Sequence, residues 1–154
     1  MNDQNGYDIE DLQVGMTASY AKTITEADIG MFAGVSGDIN AIHLNEEYAV
    51  TTPFHGRIAH GILVSGLISA TIANRLPGPG SIYMEQQLKF LAPVRPGETV
   101  KATVRVREVI LDRCQVVLET TCHVKGILVI DGVATIKVGS TARRAAKLAK
   151  ATPA

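Results

Sequence analysis

The chain has 154 residues, 46% of them hydrophobic, and its 15 Lys plus Arg are balanced by 15 Asp plus Glu. That length suits one domain with a full hydrophobic core, and the composition excludes a disordered chain. A formal net charge of zero leaves no electrostatic footprint for nucleic acid.

The opening "MNDQNGYDIEDL" is polar and made acidic by Asp3, Asp8, Glu10 and Asp11, so it does not read as a signal peptide. Thr25-Glu26-Ala27-Asp28 has the pattern of a helix start. Thr25 can cap, and Glu26 and Asp28 suit the positive end of the helix dipole. Ala27, Phe32, Ala33 and Val35 supply part of an apolar face, and Gly34 or Gly37 can end the helix. Glu46 to Val50 predicts a second, short helical turn, and "TTPFHGR" (51–57) a loop.

"HGILVSGLISATIANRL" (60–76) is apolar on nearly every side, which predicts a helix buried all round. Its apolar run from Ile62 to Ala73 is broken by Ser65, Gly66, Ser69 and Thr71 and falls short of the ~20 residues that span a bilayer. "PGPG" (77–80) ends it by turn chemistry. From Ser81 the period becomes two. Val100, Ala102, Val104 and Val106 alternate with Lys101, Thr103, Arg105 and Arg107. Cys114, Val116, Leu118, Thr120, Cys122 and Val124 alternate with Gln115, Glu119, His123 and Lys125. Both stretches read as half-buried strands, with further strands at 127–138 and 81–91. Arg95–Glu98 reads as a turn, and Leu111–Arg113 and Lys125-Gly126 as hairpin turns. Eight residues separate Cys114 from Cys122 on one predicted strand, about 26 Å at ~3.3 Å per residue. They are read as two core thiols of a reducing cytoplasm rather than a disulfide. The Ala/Lys/Arg tail after Gly139, basic through Arg143, Arg144, Lys147 and Lys150, reads as frayed or loosely helical. The fold class is therefore α+β, a sheet wrapping a central helix. One small sheet cannot cover all sides of that helix, which predicts dimerisation.

Polar chemistry concentrates in "FAGVSGDINAIHLNEEYA" (32–49), where Asp38, Asn40 and His43 follow the break at Gly37. On one helix a spacing of five would put Asp38 and His43 on different faces, so the two can act together only if the chain bends. Gly37 and Asn40 tolerate such a bend. The cluster is either an Asx-type turn with a half-exposed histidine or a carboxylate–imidazole pair that holds and activates water. Gly61 opens the long helix, where unpaired N–H groups and partial positive charge could meet an oxyanion; it could equally serve only a tight helix start. His60 reads as a packed or hydrogen-bonded core histidine, and His55 and His123 as ordinary loop and strand residues. No Cys/His spacing resembles a zinc site, no glycine-rich phosphate loop is present, and Ser65 lacks a G-x-S-x-G context.

"FAGVSGDINAIHLNEEYA" is similar to the hydratase-2 motif of the MaoC-like (R)-specific enoyl-CoA hydratases. "GRIAHGILVSGLIS" and "LPGPGSIYMEQQLKFLAPVRPGETV" resemble that family's central helix and following strands. The resemblance runs from about Val14 to Val138, the core of a single domain occupying 1–154, and is strongest to the short hydratases that feed polyhydroxyalkanoate synthesis. It implies the hot dog fold, a long helix wrapped by an antiparallel sheet, and a homodimer.

It also implies roles. Asp38 and His43 are the catalytic pair, Asn40 shapes the loop, and Gly61 gives its N–H to the thioester carbonyl. Ser69 matches an active-site serine, and Ile72 and Ile136 fall where the acyl pocket is lined, their bulk favouring short or medium chains. Ala41 departs from the pattern, which has proline there and so a stiffer loop. The implied reaction is reversible syn hydration of trans-2-enoyl-CoA to (R)-3-hydroxyacyl-CoA, without metal or redox cofactor, CoA being part of the substrate. The expected setting is cytoplasmic, with no membrane or nucleic-acid partner. The competing expectations are a hot dog acyl-CoA thioesterase and a non-catalytic acyl-CoA-binding module.

Overall fold

The computed structural model describes residues 6–151; Asp3 of the acidic opening lies outside them. Strand β1 (Thr17–Thr23) leads into α1 (Glu26–Ser36), two single-turn helices α2 (Ala41–Leu44) and α3 (Glu46–Ala49), and the long helix α4 (Gly61–Asn74). Strands β2 (Ile82–Phe90), β3 (Thr99–Ile110), β4 (Gln115–Val124) and β5 (Ile127–Lys137) follow, then α5 (Thr141–Ala151). The strands form one open five-stranded sheet in the order β1-β3-β4-β5-β2, all neighbours antiparallel.

The period-two pattern decides which face is inside. Val100, Ala102, Val104 and Val106 on β3, and Val116, Leu118, Thr120 and Cys122 on β4, are all fully buried. They meet Val64, Leu67, Ile68 and Ile72 from one side of α4 in a single core. Lys125 and Gly126 both take left-handed φ (50° and 83°), the backbone a two-residue hairpin needs to match strand twist.

The start of α1 follows its capping chemistry. Asp28 N–H donates to Thr25 Oγ1 at 3.1 Å, and Thr25 N–H donates back to Asp28 Oδ2 at 2.8 Å. Gly37 ends the helix at φ 77°, where a side chain would be strained.

Three elements depart from the pattern read in the sequence. Strand β1 carries no alternating apolar signal, because "TASYAKT" lies at a sheet edge and takes its order from pairing with β3. Helix α4 is not buried all round. Ile62, Gly66, Ser69 and Ala73 recur at helical spacing along its outer side, and Ile62 is 59% exposed. The tail is a formed helix rather than a frayed one, because the acidic opening docks its N-terminus. Thr141 and Ala142 N–H groups donate to the Glu10 carboxylate at 3.2 and 3.3 Å. Ser140 Oγ donates to Glu10 as well, and Arg144 pairs with Asp8. These contacts hold the carboxyls of Asp8 and Glu10 below the usual range, Asp8 chiefly through Arg144 and Glu10 chiefly through Ser140.

Candidate active site

The site is built where the chain leaves α1 and where it enters α4. Past Gly37, Asp38 N–H donates to Ser36 Oγ at 3.1 Å, and the Asp38 carboxylate accepts from Asn40 N–H at 3.3 Å. Asn40 Oδ1 accepts from Ile42 N–H at 3.2 Å and so caps α2. This is an Asx-type turn, and it bends the chain so that Asp38 and His43 face one place. The turn of one alternative and the carboxylate–imidazole juxtaposition of the other are both present, but His43 is buried rather than half-exposed. Asp38 stays on an exposed loop rather than in an apolar enclosure.

His43 is buried, and its Nδ1–H donates to the Ile58 carbonyl at 2.8 Å. A carbonyl only accepts, so in the neutral ring Nε2 is left with its lone pair. His60, 1% exposed, sits at the N-cap of α4 without capping it through its side chain. Its Nε2–H donates to the main-chain carbonyl of Asp38 at 2.9 Å. The ring lies 3.8 Å from that of His43 and 4.8 Å from that of Phe32, centroid to centroid. His60 Nδ1 is buried with no hydrogen-bond partner among the described residues. Leaving such an acceptor unpaired costs roughly 1–3 kcal/mol.

Asp38, His43 and His60 thus bring a carboxylate oxygen and one nitrogen from each ring within 4.8 Å of one another. That donor set could hold a divalent ion; it is equally suited to hold and polarise a water molecule. Gly61, next to His60, is the first residue of α4 and presents an N–H without an intrahelical acceptor. A Cβ there would come within 2.7 and 2.8 Å of the Phe90 ring, so a side chain at this position must displace that ring.

Gly61 and His43 both line a cavity of about 370 Å³ whose remaining walls, including Phe54, Ile58, Ile62 and Phe90, are apolar. Ser69 lies about 12 Å further along α4, on its outer side, and does not line it. Ile72 and Ile136 are 1% and 0% exposed, packed in the core between α4 and the sheet, and also lie outside the lining. The structure therefore gathers Asp38, Asn40, His43 and Gly61 and leaves Ser69, Ile72 and Ile136 apart from this cavity. His60 is the member whose link to the loop the sequence left unseen, since 22 residues separate it from Asp38. His55 and His123 stand outside the cluster. Burial pushes the Cys122 thiol up to about 12, so it is no nucleophile at neutral pH.

The sequence and the fold have counterparts among known proteins. The MaoC-like domain matches residues 11–126. The chain is 55% identical over 129 residues to the (R)-specific enoyl-CoA hydratase of Rhodospirillum rubrum, covering 84% of this chain and 90% of that protein. Unliganded R-hydratase PhaJ1 from Pseudomonas aeruginosa is 43% identical, with a TM-score of 0.82 over 88% of each chain. The (R)-hydratase of Aeromonas caviae, involved in PHA biosynthesis, is 37% identical, with a TM-score of 0.81 over 84% of this chain and 98% of that one. Sheet order, central helix and these likenesses agree on the hot dog fold, and the chain belongs to the MaoC-like domain family.

Proposed function

We propose that this protein is an (R)-specific enoyl-CoA hydratase, catalysing reversible syn hydration of trans-2-enoyl-CoA to (R)-3-hydroxyacyl-CoA. The observation that carries the reading is the placement of the Asp38 carboxylate and His43 within 4.8 Å, beside the Gly61 end of α4 and an apolar cavity. Asp38 removes a proton from water as its oxygen attacks Cβ. Negative charge moves onto the thioester oxygen and meets the Gly61 N–H. His43 Nε2 orients the water by accepting one of its hydrogens, and the proton that Asp38 has taken is passed to Cα on the same face, which completes the syn addition. Asn40 holds the loop through its cap on α2. Neither metal nor redox cofactor takes part.

The product is a precursor of polyhydroxyalkanoate or an intermediate of fatty-acid metabolism. Among the described residues no helix is long and apolar enough to cross a membrane, and we place the enzyme in the cytoplasm, where cell fractionation should find it. We also infer a homodimer. Strand β2 is a free sheet edge whose Ile82 and Met84 are exposed, and α4 leaves Ile62 uncovered in the same protomer. A solution mass of one chain would refute it.

The test is absorbance of crotonyl-CoA, or a longer enoyl-CoA, with chiral assay of the product and a thiol dye. Loss of the enoyl signal without free thiol, an (R) product, and no change on adding chelator are expected. Thiol release would favour a thioesterase. Asp38→Asn keeps the oxygen that accepts from Asn40 N–H, so the loop survives. It should slow turnover by about 10²–10⁴-fold, and a folded variant at near wild-type rate would sink the mechanism.

A further inference from the structure

We infer that His60 is a positioning residue that sets the place of the Asp38 carboxylate relative to the end of α4; this rests on the hydratase reading above. His60 is buried to 1% exposure, yet it caps nothing through its side chain and leaves Nδ1 unpaired. A core position chosen for stability alone would be filled better by an apolar ring. What the histidine adds is its other nitrogen, whose N–H holds the Asp38 carbonyl at 2.9 Å. The bonds of Asp38 to Ser36 and Asn40 are local to the loop itself. They fix the shape of the turn, and the bonds that join His43 and Ile42 to Ile58 tie its far end, not Asp38, to the segment before α4. His60 supplies the distance of Asp38 from α4, because it immediately precedes Gly61 in the chain and its ring packs on His43. One side chain thereby references the carboxylate, the imidazole and the Gly61 N–H to a common frame.

Side-chain length makes the idea testable. Glutamine carries its N–H₂ at the same distance from Cβ as His Nε2, whereas asparagine places its own where Nδ1 stands. His60→Phe keeps the ring and removes the donor. Its kcat should fall about 10–100-fold, the range expected when a reacting group drifts by ~1 Å, with KM within about threefold and no fall in Tm. His60→Gln should recover most of the lost kcat and His60→Asn should not. In the Asp38→Asn background His60→Phe should cost nothing further, since both changes act through one group. Amide hydrogen exchange of residues 38–40 should quicken in His60→Phe and return towards wild type in His60→Gln. Equal effects of Gln and Asn, independent multiplication of the Asp38 and His60 effects, or a His60→Phe kcat within threefold of wild type would overturn the role. If the wild-type protein hydrates no enoyl-CoA, the hydratase reading fails. The exchange measurement then decides separately whether His60 holds the loop: unchanged exchange in His60→Phe refutes it.

Discussion

Replacing Gly61 by alanine separates what the fold requires at the head of α4 from what the chemistry requires. Gly61 does not have the positive φ that would strain a side chain. Alanine is favoured over glycine in helices by up to about 1 kcal/mol, less at the first position. Against that, the new methyl lies 2.7 and 2.8 Å from the Phe90 ring, too close to stay. Phe90 is 52% exposed at the end of the edge strand, so its ring can swing toward solvent at a rotamer cost of about 0.5–1.5 kcal/mol. The two effects nearly cancel, and Tm should move by no more than about 2–4 °C.

Activity should not cancel. Losing one oxyanion donor outright costs about 10²–10³-fold in kcat. Here the N–H remains but a methyl crowds the approach to it, so a fall of about 10–10²-fold in kcat is expected, followed with crotonyl-CoA. The double variant Gly61→Ala/Phe90→Leu removes much of the clash and keeps the methyl. If the substrate carbonyl meets Gly61, the double variant stays slow; if displaced Phe90 is the cause, it recovers. A folded Gly61→Ala with kcat/KM within threefold of wild type would refute the placement of the carbonyl at this N–H.

Ala41 is the first residue of α2, where an N–H has no intrahelical acceptor, and Asn40 before it already has φ −53° and ψ 130°, a conformation proline tolerates in its predecessor. Ala41→Pro should therefore stabilise by about 0.4–1 kcal/mol with turnover unchanged; thermal unfolding showing a loss would mean that the turn needs freedom at this position. Asp28 is held at about 2, first by its hydrogen bond from Lys22 and then by Thr25, against an ordinary 3.8. A lowered folded value stabilises fully above the ordinary value and is lost as pH falls through the folded one. The advantage of wild type over Asp28→Asn, of order 1 kcal/mol after screening at the surface, should thus shrink between pH 4 and 2. Denaturant titrations giving a pH-independent difference would refute the pairing.

Where one physical signal dominated, the sequence was a sufficient guide. Thr25, Asp28 and Gly37 marked both ends of α1 because capping is local chemistry. The β3 and β4 residues on the inner face were legible because one buried face imposes a period of two. Strand β1 was not, since its order comes from backbone pairing with β3 and its side chains alternate no hydrophobicity. The outer stripe of α4 was hidden for the opposite reason. Ile62 is as apolar as the buried Val64 and Ile68, so composition could not say which side met the sheet. The acidic and basic ends were visible as charges, but not that Glu10 and Asp8 would seat α5. At the site, Asp38, Asn40, His43 and Gly61 could be picked out from local chemistry and family likeness. The separation of Ser69, Ile72 and Ile136 from the cavity depends on how far along α4 and how deep in the sheet they lie, which spacing alone does not encode.

The site's order comes from a reciprocal clasp between two short segments. His43 reaches from the first to the Ile58 carbonyl, His60 reaches back from the second to the Asp38 carbonyl, and Ile58 N–H donates to Ile42 O at 3.3 Å. Each imidazole spends one nitrogen on a main-chain carbonyl, which selects its tautomer and leaves the other nitrogen bare. Between the two segments the chain is held by separate means. Arg57 bridges Glu26 and Glu46, and Arg95 bonds the Phe54 carbonyl. The bonds that place Asp38 and His43 are thus distinct from those that hold the loop carrying Phe54, a wall of the cavity. Changes in that loop can reshape the cavity while the carboxylate, the imidazole and the head of α4 keep their mutual geometry.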